Sequence, residues 1–272
     1  MLCEHAVQMT KTSRSPRPHR RSIKDWTQDW KQSYQADGER AFLAESRTPQ
    51  KEAERLKRID AEFKRGFEAL HDLGPAVTVF GSARFKENHR YYKLARAVGG
   101  ELARAGFATL TGGGPGIMEA ANRGAHEAGG PSIGLNIILP HEQNANPYVD
   151  KTVEFHYFFT RKVMLVKYSC AFIIMPGGLG TLDEFFEAAT LIQCKKIGPF
   201  PIILMGTTFW EGMRTWGRRM MKQGVFTKDE IRFGWATDSP AEAVKAIRWS
   251  LAPAVRKQLS PLAKPRRSVR TK

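Results

Sequence analysis

One stretch of the sequence limits the possible folds of this chain more than any other. It is a short apolar run followed by a glycine-rich loop and then by an amphipathic helix. Ala171–Met175 is continuously apolar, as expected of a strand buried on both faces of a sheet. The loop after it contains Pro176, Gly177, Gly178 and Gly180, and Thr181 is the predicted N-cap of the next helix. Such a loop leaves backbone N–H groups and the positive end of the helix dipole free for an anion. We therefore predict a phosphate site here.

The same alternation of apolar runs and helical periodicity extends along most of the chain. The predicted strands are Ala76–Phe80, Phe107–Thr111, Ser132–Ile138, Lys151–Phe155, Ala171–Met175 and Phe200–Met205. Apart from the helix after Thr181, the predicted helices are Lys51–Leu73, Tyr91–Ala105, Ile117–Glu127, Phe159–Ser169, Phe209–Gln223 and Ala241–Leu251. Alternating strands and helices predict a Rossmann-like, doubly wound parallel sheet, which is a three-layer α/β/α fold. Its ligand is expected at the carboxyl edge of the sheet.

Two other predicted strands also end in loops of small residues. Gly81–Arg84 follows the first strand and offers the hydroxyl of Ser82, whereas Gly112–Gly116 follows the second strand. Both loops are expected to meet the 176–181 loop at the carboxyl edge. Two alternatives remain open, because Ser82 also suits an ordinary turn and Gly112–Gly116 also suits a tight connection that binds nothing.

The positive charge of the chain is concentrated at its two ends. The formal net charge is +16, of which residues 1–24 contribute +5 and residues 251–272 contribute +7. We predict a basic, partly disordered extension over residues 1–50, with a candidate helix at Ser22–Tyr34. Residues 51–250 are the predicted folded domain with a leading helix, and residues 251–272 are a basic tail. Solvated flexible ends explain this charge, and contact with nucleic acid or an acidic partner is the alternative.

Cysteine usage and hydropathy predict a cytoplasmic protein. Cys3, Cys170 and Cys194 have no paired spacing and no histidine at metal-ligand distances, so we expect neither disulfides nor a metal site. No apolar run reaches the roughly 18 residues of a membrane span. The N-terminus also lacks the apolar core of a secretory signal.

The common nucleotide and hydrolase motifs are missing from the sequence. There is no G-x-x-x-x-G-K-[ST] phosphate loop and no G-x-G-x-x-G fingerprint. The G-x-S-x-G pattern occurs once, at residues 130–134, but Ser132 begins a predicted strand and does not stand between a strand and a helix, so this is not a nucleophile elbow. The polar residues near the three loops are Ser82, Arg84, Glu119, Arg161, Lys162, Thr181, Asp183 and Glu184. This set suits a monophosphate attached to an otherwise neutral group.

The glycine motifs together resemble a known family. Residues 176–184 match P-G-G-x-G-T-x-x-E, residues 112–122 match G-G-G-x-G-I-M-E-A-A-N, and Arg161-Lys162 stand at the usual place before the strand. The chain resembles the LOG (Lonely Guy) family, long labelled "lysine decarboxylase-like", over about residues 76–225. The resemblance offers no lysine in a setting that would suit pyridoxal phosphate, so the decarboxylase label has no chemical support.

The resemblance implies an activity. It points to a homo-oligomer that acts as a nucleoside 5′-monophosphate phosphoribohydrolase, an N-glycosidase similar to AMP nucleosidase. Such an enzyme splits AMP or a cytokinin riboside monophosphate into the free base and ribose 5-phosphate, and it is expected to need no cofactor and no metal.

The resemblance also assigns roles to residues. Arg161 and Glu184 would be the catalytic pair. Taken together with the loops, it makes candidate substrate and phosphate contacts of Ser82, Gly113, Gly114, Glu142, Lys162, Gly177, Gly178, Gly180, Thr181, Asp183 and Thr190. One departure is Cys170, where the family often has Asp, so a contact at the end of a helix is expected to differ.

Structural interpretations of these residues remain open. Glu184 lies three residues after Thr181, as in a capping box. Arg161 and Lys162 also suit a solvated helix start, and Glu119 suits an acid that complements a helix dipole. The alternative function is a non-catalytic carrier of a nucleotide or of a pterin–phosphate such as the molybdenum cofactor. A carrier has no use for a carboxylate at the anomeric carbon, and this favours the hydrolase.

Overall fold

The computed structural model describes residues 48–139, 144–198, 200–231 and 234–259. The strands are β1 (Ala76–Phe80), β2 (Ala108–Thr111), β3 (Ser132–Ile137), β4 (Lys151–Phe155), β5 (Ala171–Ile174), β6 (Ile202–Leu204) and β7 (Gly234–Ala236). The helices are α1 (Pro49–Leu70), α2 (Arg90–Arg104), α3 (Ile117–Glu127), α4 (Phe158–Lys167), α5 (Leu179–Gln193), α6 (Glu211–Lys222), α7 (Pro240–Ser250) and α8 (Pro253–Lys257), with a 3₁₀ turn at Asp229–Ile231. The candidate helix at Ser22–Tyr34 and the candidate residue Glu142 lie outside the described residues.

The chain divides into two compact units, Met1–Arg55 and Leu56–Lys272. Of the first unit, the structure describes residues 48–55, which include the first part of α1. The second unit contains the sheet.

The strands form one parallel sheet whose order places the loops after β1 and β5 side by side. The order is β4-β3-β2-β1-β5-β6-β7, and each neighbouring pair is parallel. The chain therefore runs outward from β1 to β4 and then returns to start the other half at β5. In sheets of this kind, ligands bind where the order reverses. The predicted Rossmann-like α/β/α fold is confirmed.

The core lies on both faces of the sheet. Along β1, Val77 and Val79 belong to one buried cluster, whereas Ala76 and Phe80 belong to the other. This alternation follows from the two-residue repeat of a strand. Because both faces are covered, every position of β1 and β5 is buried, and all of these residues except Thr78 are apolar, which is the pattern that made the two strands recognisable in the sequence.

The ends of the sheet and of the chain differ from the expectations. Strand β7 was not predicted, because it has three exposed residues and no apolar run. Beyond α7, Leu251 is 6% exposed within the core, and Val255 and Leu259 pack against it. The folded unit therefore includes part of the segment that the sequence suggested was a tail. Among the described residues, no helix combines the length and the apolar character that crossing a bilayer requires.

Candidate functional site

The backbone of Ser82 joins the three loops at the carboxyl edge of the sheet. Its N–H donates to the carbonyl oxygen of Pro176 at 3.0 Å, and its carbonyl oxygen accepts from the N–H of Ile117 at 3.0 Å. Its hydroxyl accepts from the N–H of Arg84 at 3.1 Å, as in a local turn. Ser82 therefore links the loops after β1, β2 and β5 and also makes the turn contact.

Two glycines make this close approach possible. A Cβ on Gly116 would lie 2.5 Å from the carbonyl oxygen of Ser82, and Gly116 has a φ of +70°. A Cβ on Gly81 would lie 2.4 Å from Cγ2 of Ile117. Both positions require a residue without a side chain if the loops are to touch.

Two buried asparagines hold the backbone of the Gly112–Gly116 loop. The amide of Asn146 donates to the carbonyl oxygens of Gly113 and Gly114, each at 3.1 Å, and to Oδ1 of Asn122 at 3.0 Å. The hydroxyl of Thr111 accepts from the N–H of Gly113 at 2.9 Å and donates to Asn122 at 2.6 Å. Thr111 and Asn146 thus fix Gly113 and Gly114 directly, and Asn122 holds the side chains of Thr111 and Asn146 in place.

The predicted N-cap at Thr181 is wrong. Helix α5 begins at Leu179, its N-cap is Gly178, and no side chain caps it. Gly178 makes the turn into the helix in an extended conformation, with φ −97° and ψ −152°. Thr181 therefore lies inside the first turn, and its N–H bonds to the carbonyl oxygen of Gly178 at 3.1 Å. The capping box between Thr181 and Glu184 is also wrong.

The start of α5 is open. The N–H groups of Gly178, Leu179 and Gly180 have no hydrogen-bond acceptor within the described part of the chain. A Cβ on Gly178 or on Gly180 would meet no atom within 4 Å, and the side chain of Leu179 is exposed. Free N–H groups at the positive end of a helix dipole are the ordinary elements of an anion site. The hydroxyl of Thr181 lies beside them, because a Cβ on Gly177 would be 2.1 Å from its Oγ1.

Arg161 and Glu184 form a buried pair next to this open helix end. Nη2 of Arg161 lies 3.8 Å from Oε1 of Glu184, and the two side chains are 13% and 3% exposed. The guanidinium also reaches the other glycine loop, because a Cβ on Gly112 would be 3.8 Å from both Nη1 and Nη2. Nε of Arg161 and Oε2 of Glu184 are buried without a hydrogen-bond partner among the described residues. The pair therefore has donors and an acceptor left for a ligand.

Burial shifts the ionisation of both groups. It raises the pKa of Glu184 to about 7, against the opposing effect of the positive charges of Arg161 and Lys162. Burial also lowers the pKa of Arg161, against the opposing effect of Glu184 and Asp183. A carboxyl group that titrates near neutral pH is suited to proton transfer or to charge stabilisation at a reacting centre.

Lys162 and Asp183 contact each other. Nζ of Lys162 lies 2.9 Å from Oδ2 of Asp183 and 2.6 Å from Oε2 of Glu187. This cluster joins α4 to α5. Because Arg161 and Lys162 are 13% and 14% exposed and both face carboxylates, the solvated helix start is wrong for them.

The remaining candidates lie apart from the pair. The hydroxyl of Thr190 donates to the carbonyl oxygen of Phe186 at 2.7 Å. Thr190 is exposed, about 9 Å along the helix axis from Glu184. Glu119 accepts a hydrogen bond from the hydroxyl of Tyr92 at 2.7 Å. Cys170 is half-buried and packs against the core, and burial raises the pKa of its thiol to about 12, so the thiol stays protonated and unreactive at neutral pH.

Sequence reasoning did not single out Asn122 and Asn146 as the residues that hold the loop. Asn122 lies within the quoted G-G-G-x-G-I-M-E-A-A-N motif, so a signal existed. Asn146 follows no motif and has no such signal. Among the described residues, no group of three His, Cys, Asp or Glu side chains is arranged to hold a metal ion.

Known proteins match this chain over the same region. A family model described as "Possible lysine decarboxylase" matches residues 118–247. A "Cytokinin riboside 5'-monophosphate phosphoribohydrolase" of Mycobacterium tuberculosis is 29% identical over 160 residues, which are 57% of this chain and 83% of that protein. An uncharacterised protein of Archaeoglobus fulgidus is 31% identical over 123 residues, which are 44% of this chain and 78% of that protein. This chain belongs to the LOG family.

A solved structure of the molybdenum cofactor binding protein from Rippkaea orientalis also matches, with a TM-score of 0.47 and 25% identity over 65% of this chain and 96% of that one. The LOG family match includes Arg161, Glu184 and the glycine loop between them. The match begins after the Gly112–Gly116 loop, so this loop and helix α1 lie outside it.

Proposed function

We propose that this protein is a nucleoside 5′-monophosphate phosphoribohydrolase that converts AMP or a cytokinin riboside monophosphate to the free base and ribose 5-phosphate. The main support is the buried carboxylate of Glu184, on the same helix whose N-terminus is open to a phosphate. The name of the Mycobacterium tuberculosis relative supports the same reaction.

The proposed chemistry uses both the carboxylate of Glu184 and the open N-terminus of α5. When a base leaves the anomeric carbon, positive charge develops on the ribose, and a nearby carboxylate stabilises that charge or activates water. Glu184 lies about 6 Å along the axis of α5 from Gly180, which is comparable with the span from a 5′-phosphate to the anomeric carbon. Binding the phosphate at the helix end would therefore bring the reacting carbon to Glu184. Binding energy remote from the broken bond then positions the sugar.

Arg161 has two parts in this proposal. Its positive charge favours the ionised form of Glu184. Its free Nε and the two groups beside Gly112 can donate hydrogen bonds to ribose hydroxyls or to phosphate oxygens, since a guanidinium is a planar fork of donors.

The direct test is to incubate the purified protein with AMP and to measure adenine and ribose 5-phosphate. Equimolar release of both products is expected. A non-catalytic carrier would bind AMP and return it intact. Adenosine is the matched control, because it lacks the phosphate; equal kcat/KM for adenosine and AMP would contradict phosphate anchoring. A panel of nucleoside monophosphates would then identify the preferred base.

We also propose that the protein is a homo-oligomer. Phe158, Phe159 and Val163 are 54%, 43% and 42% exposed on α4, beside the buried pair. Large exposed apolar side chains that cluster together favour contact with another protein surface. Light scattering should give the mass of at least a dimer at micromolar concentration, and a monomer throughout would contradict this.

A cytoplasmic location is proposed because Cys170 and Cys194 are free thiols, as in a reducing compartment.

A further inference from the structure

Helix α1 buries a carboxylate against the start of α4, the helix that carries Arg161. Glu62 is 5% exposed. Its Oε1 accepts from the N–H of His156 at 2.7 Å. Its Oε2 accepts from the hydroxyl of Thr160 at 2.5 Å and from the N–H of Tyr157 at 3.3 Å. Most of the hydrogen bonding to this buried charge therefore comes from a single short segment of chain.

Helix α4 has no cap of its own. Its N-cap residue, Tyr157, makes no side-chain capping bond, and its first turn contains no acidic residue. The first N–H groups of a helix need acceptors, and its positive end favours a negative charge. Glu62, on a different helix, accepts from the N–H of the N-cap residue Tyr157 at 3.3 Å and places its carboxylate at this positive end, although it lies 98 residues from Thr160 in sequence.

Glu62 accepts hydrogen bonds from Tyr157 and Thr160, and these residues determine the position of the first turn of α4, where Arg161 lies. Arg161 directly follows Thr160, and its N–H bonds to the carbonyl oxygen of Tyr157 at 3.3 Å. A shift of Tyr157 or Thr160 would therefore move the backbone from which the guanidinium projects.

Other contacts hold α1 against the same segment. Nη2 of Arg65 donates to the carbonyl oxygen of Glu154 at 2.8 Å, and Nε of Arg58 donates to the hydroxyl of Tyr157 at 3.1 Å. The helices also touch, because a Cβ on Gly66 would lie 2.7 Å from Cε of Met164.

We propose that Glu62 is a positioning residue for Arg161, because by capping α4 it sets where the guanidinium lies between Glu184 and the Gly112–Gly116 loop. The effect on turnover rests on the proposed function. Glu62 lies outside residues 118–247, so the family match does not include it.

The position of the Arg161 guanidinium depends mainly on the position of the Arg161 backbone. Its contact with Glu184 is 3.8 Å long, and its Nε has no partner among the described residues. The guanidinium also lies over the ring of Phe158, with Cζ 5.6 Å from the ring centroid, but Phe158 is the first residue of the same helix and would move with it. Small displacements of a catalytic group reduce turnover by large factors.

The test replaces Glu62 with glutamine, which keeps the shape but turns one acceptor into a donor that faces other donors. We expect kcat for AMP to fall about tenfold, while KM changes by a smaller factor, because the start of α5 is unaltered and Arg161 supplies only part of the proposed substrate contacts. Glu68→Gln is the matched control, since Glu68 is an exposed glutamate on the same helix; it should leave kcat unchanged.

A double-mutant cycle separates positioning from general stability. In an Arg161→Ala background, Glu62→Gln should reduce kcat by less than about twofold, because residues that act as a unit are not additive. An equal fold-reduction in both backgrounds would overturn the proposal. So would a Glu62→Gln protein that melts at a lower temperature but turns over at the parent rate below its transition.

A measurement without turnover distinguishes this proposal from the proposed function. The charged groups that face Glu184 are Arg161 and Lys162 from α4, and Asp183 and Glu187 from α5. If Glu62→Gln displaces Arg161, carbon-13 NMR should show that the pKa of Glu184 rises above its parent value. An unchanged pKa would overturn the positioning role. A parent protein that releases no base from any nucleoside monophosphate would instead overturn the proposed function and leave this titration to decide the role of Glu62.

Discussion

At the residue scale, the burial of Glu184 gives the first prediction. Glu184→Gln keeps the side-chain shape and removes the charge that would face the forming oxocarbenium ion. Turnover should fall by about 10² or more, which is on the order of 3 kcal/mol. The free energy of unfolding should change by less than about 1 kcal/mol, because relief of a buried charge opposes the loss of a counter-ion for Arg161. Melting temperature, AMP affinity and base release should be measured on one preparation. Release of base at the parent rate would refute the catalytic role.

The ionisation of Glu184 gives a pH prediction. Burial raises its pKa to about 7, and a carboxyl group is charged above its pKa. The value of kcat should therefore rise with pH by about tenfold per unit below 7 and level off above it. The measurement needs saturating AMP, because the phosphate itself ionises near pH 6 and affects binding. A flat kcat between pH 5 and pH 8 would show that no group with this pKa takes part.

The residues of the site differ in how far the sequence can reveal them. Arg161 and Glu184 stand in or beside short motifs, and the structure brings them to 3.8 Å. Glu62 and Asn146 act on segments 98 and 33 residues away. Their contacts depend on how the elements pack, so no local pattern indicates them. Thr181 was wrongly predicted as an N-cap because Ser and Thr are preferred at that position, whereas Gly178 is the N-cap in the structure.

At the element scale, the parallel sheet could be predicted because its central strands are apolar on both faces. The pattern gives no strand order, which depends on how the helices cross over. The order in the structure puts β1 beside β5, and this is why the loop with Ser82 contacts the loop with Pro176. Strand β7 lies at the edge of the sheet and its three residues are exposed, so it has no apolar run from which the sequence could predict it.

The close contact at the start of α5 gives a prediction about phosphate binding. An added Cβ in Gly177→Ala would lie 2.1 Å from Oγ1 of Thr181 and 2.7 Å from its Cβ. The first turn must then move, so the free N–H groups lose their common direction. KM for AMP should rise about tenfold, which corresponds to about 1.4 kcal/mol.

Gly217→Ala is the matched control for this change, because a Cβ there meets no atom within 4 Å. It lies within α6, where alanine should stabilise the helix by about 0.5–1 kcal/mol and leave KM unchanged. Unaltered AMP affinity in Gly177→Ala would count against a phosphate at this helix end.

At the scale of the whole molecule, the charge and the site are separate in sequence. Residues 260–272 contain five Lys/Arg and no acid, whereas the candidate residues that the structure describes lie between Ser82 and Thr190. A basic end that is remote in sequence from the site suits an accessory contact better than a part in the reaction.

A truncated protein of residues 48–259 tests this separation. It keeps α1 with Glu62, and it keeps Leu251, Val255 and Leu259, which belong to or pack against the core. Its kcat for AMP should stay within about twofold of the full chain, since each group assigned to catalysis remains. A second truncation that ends at residue 250 is the control. It removes the buried Leu251, which contributes about 1.5–3 kcal/mol, so it should melt several degrees lower. If the 48–259 protein keeps its melting temperature and oligomeric mass but loses turnover, a residue outside that range must complete the site.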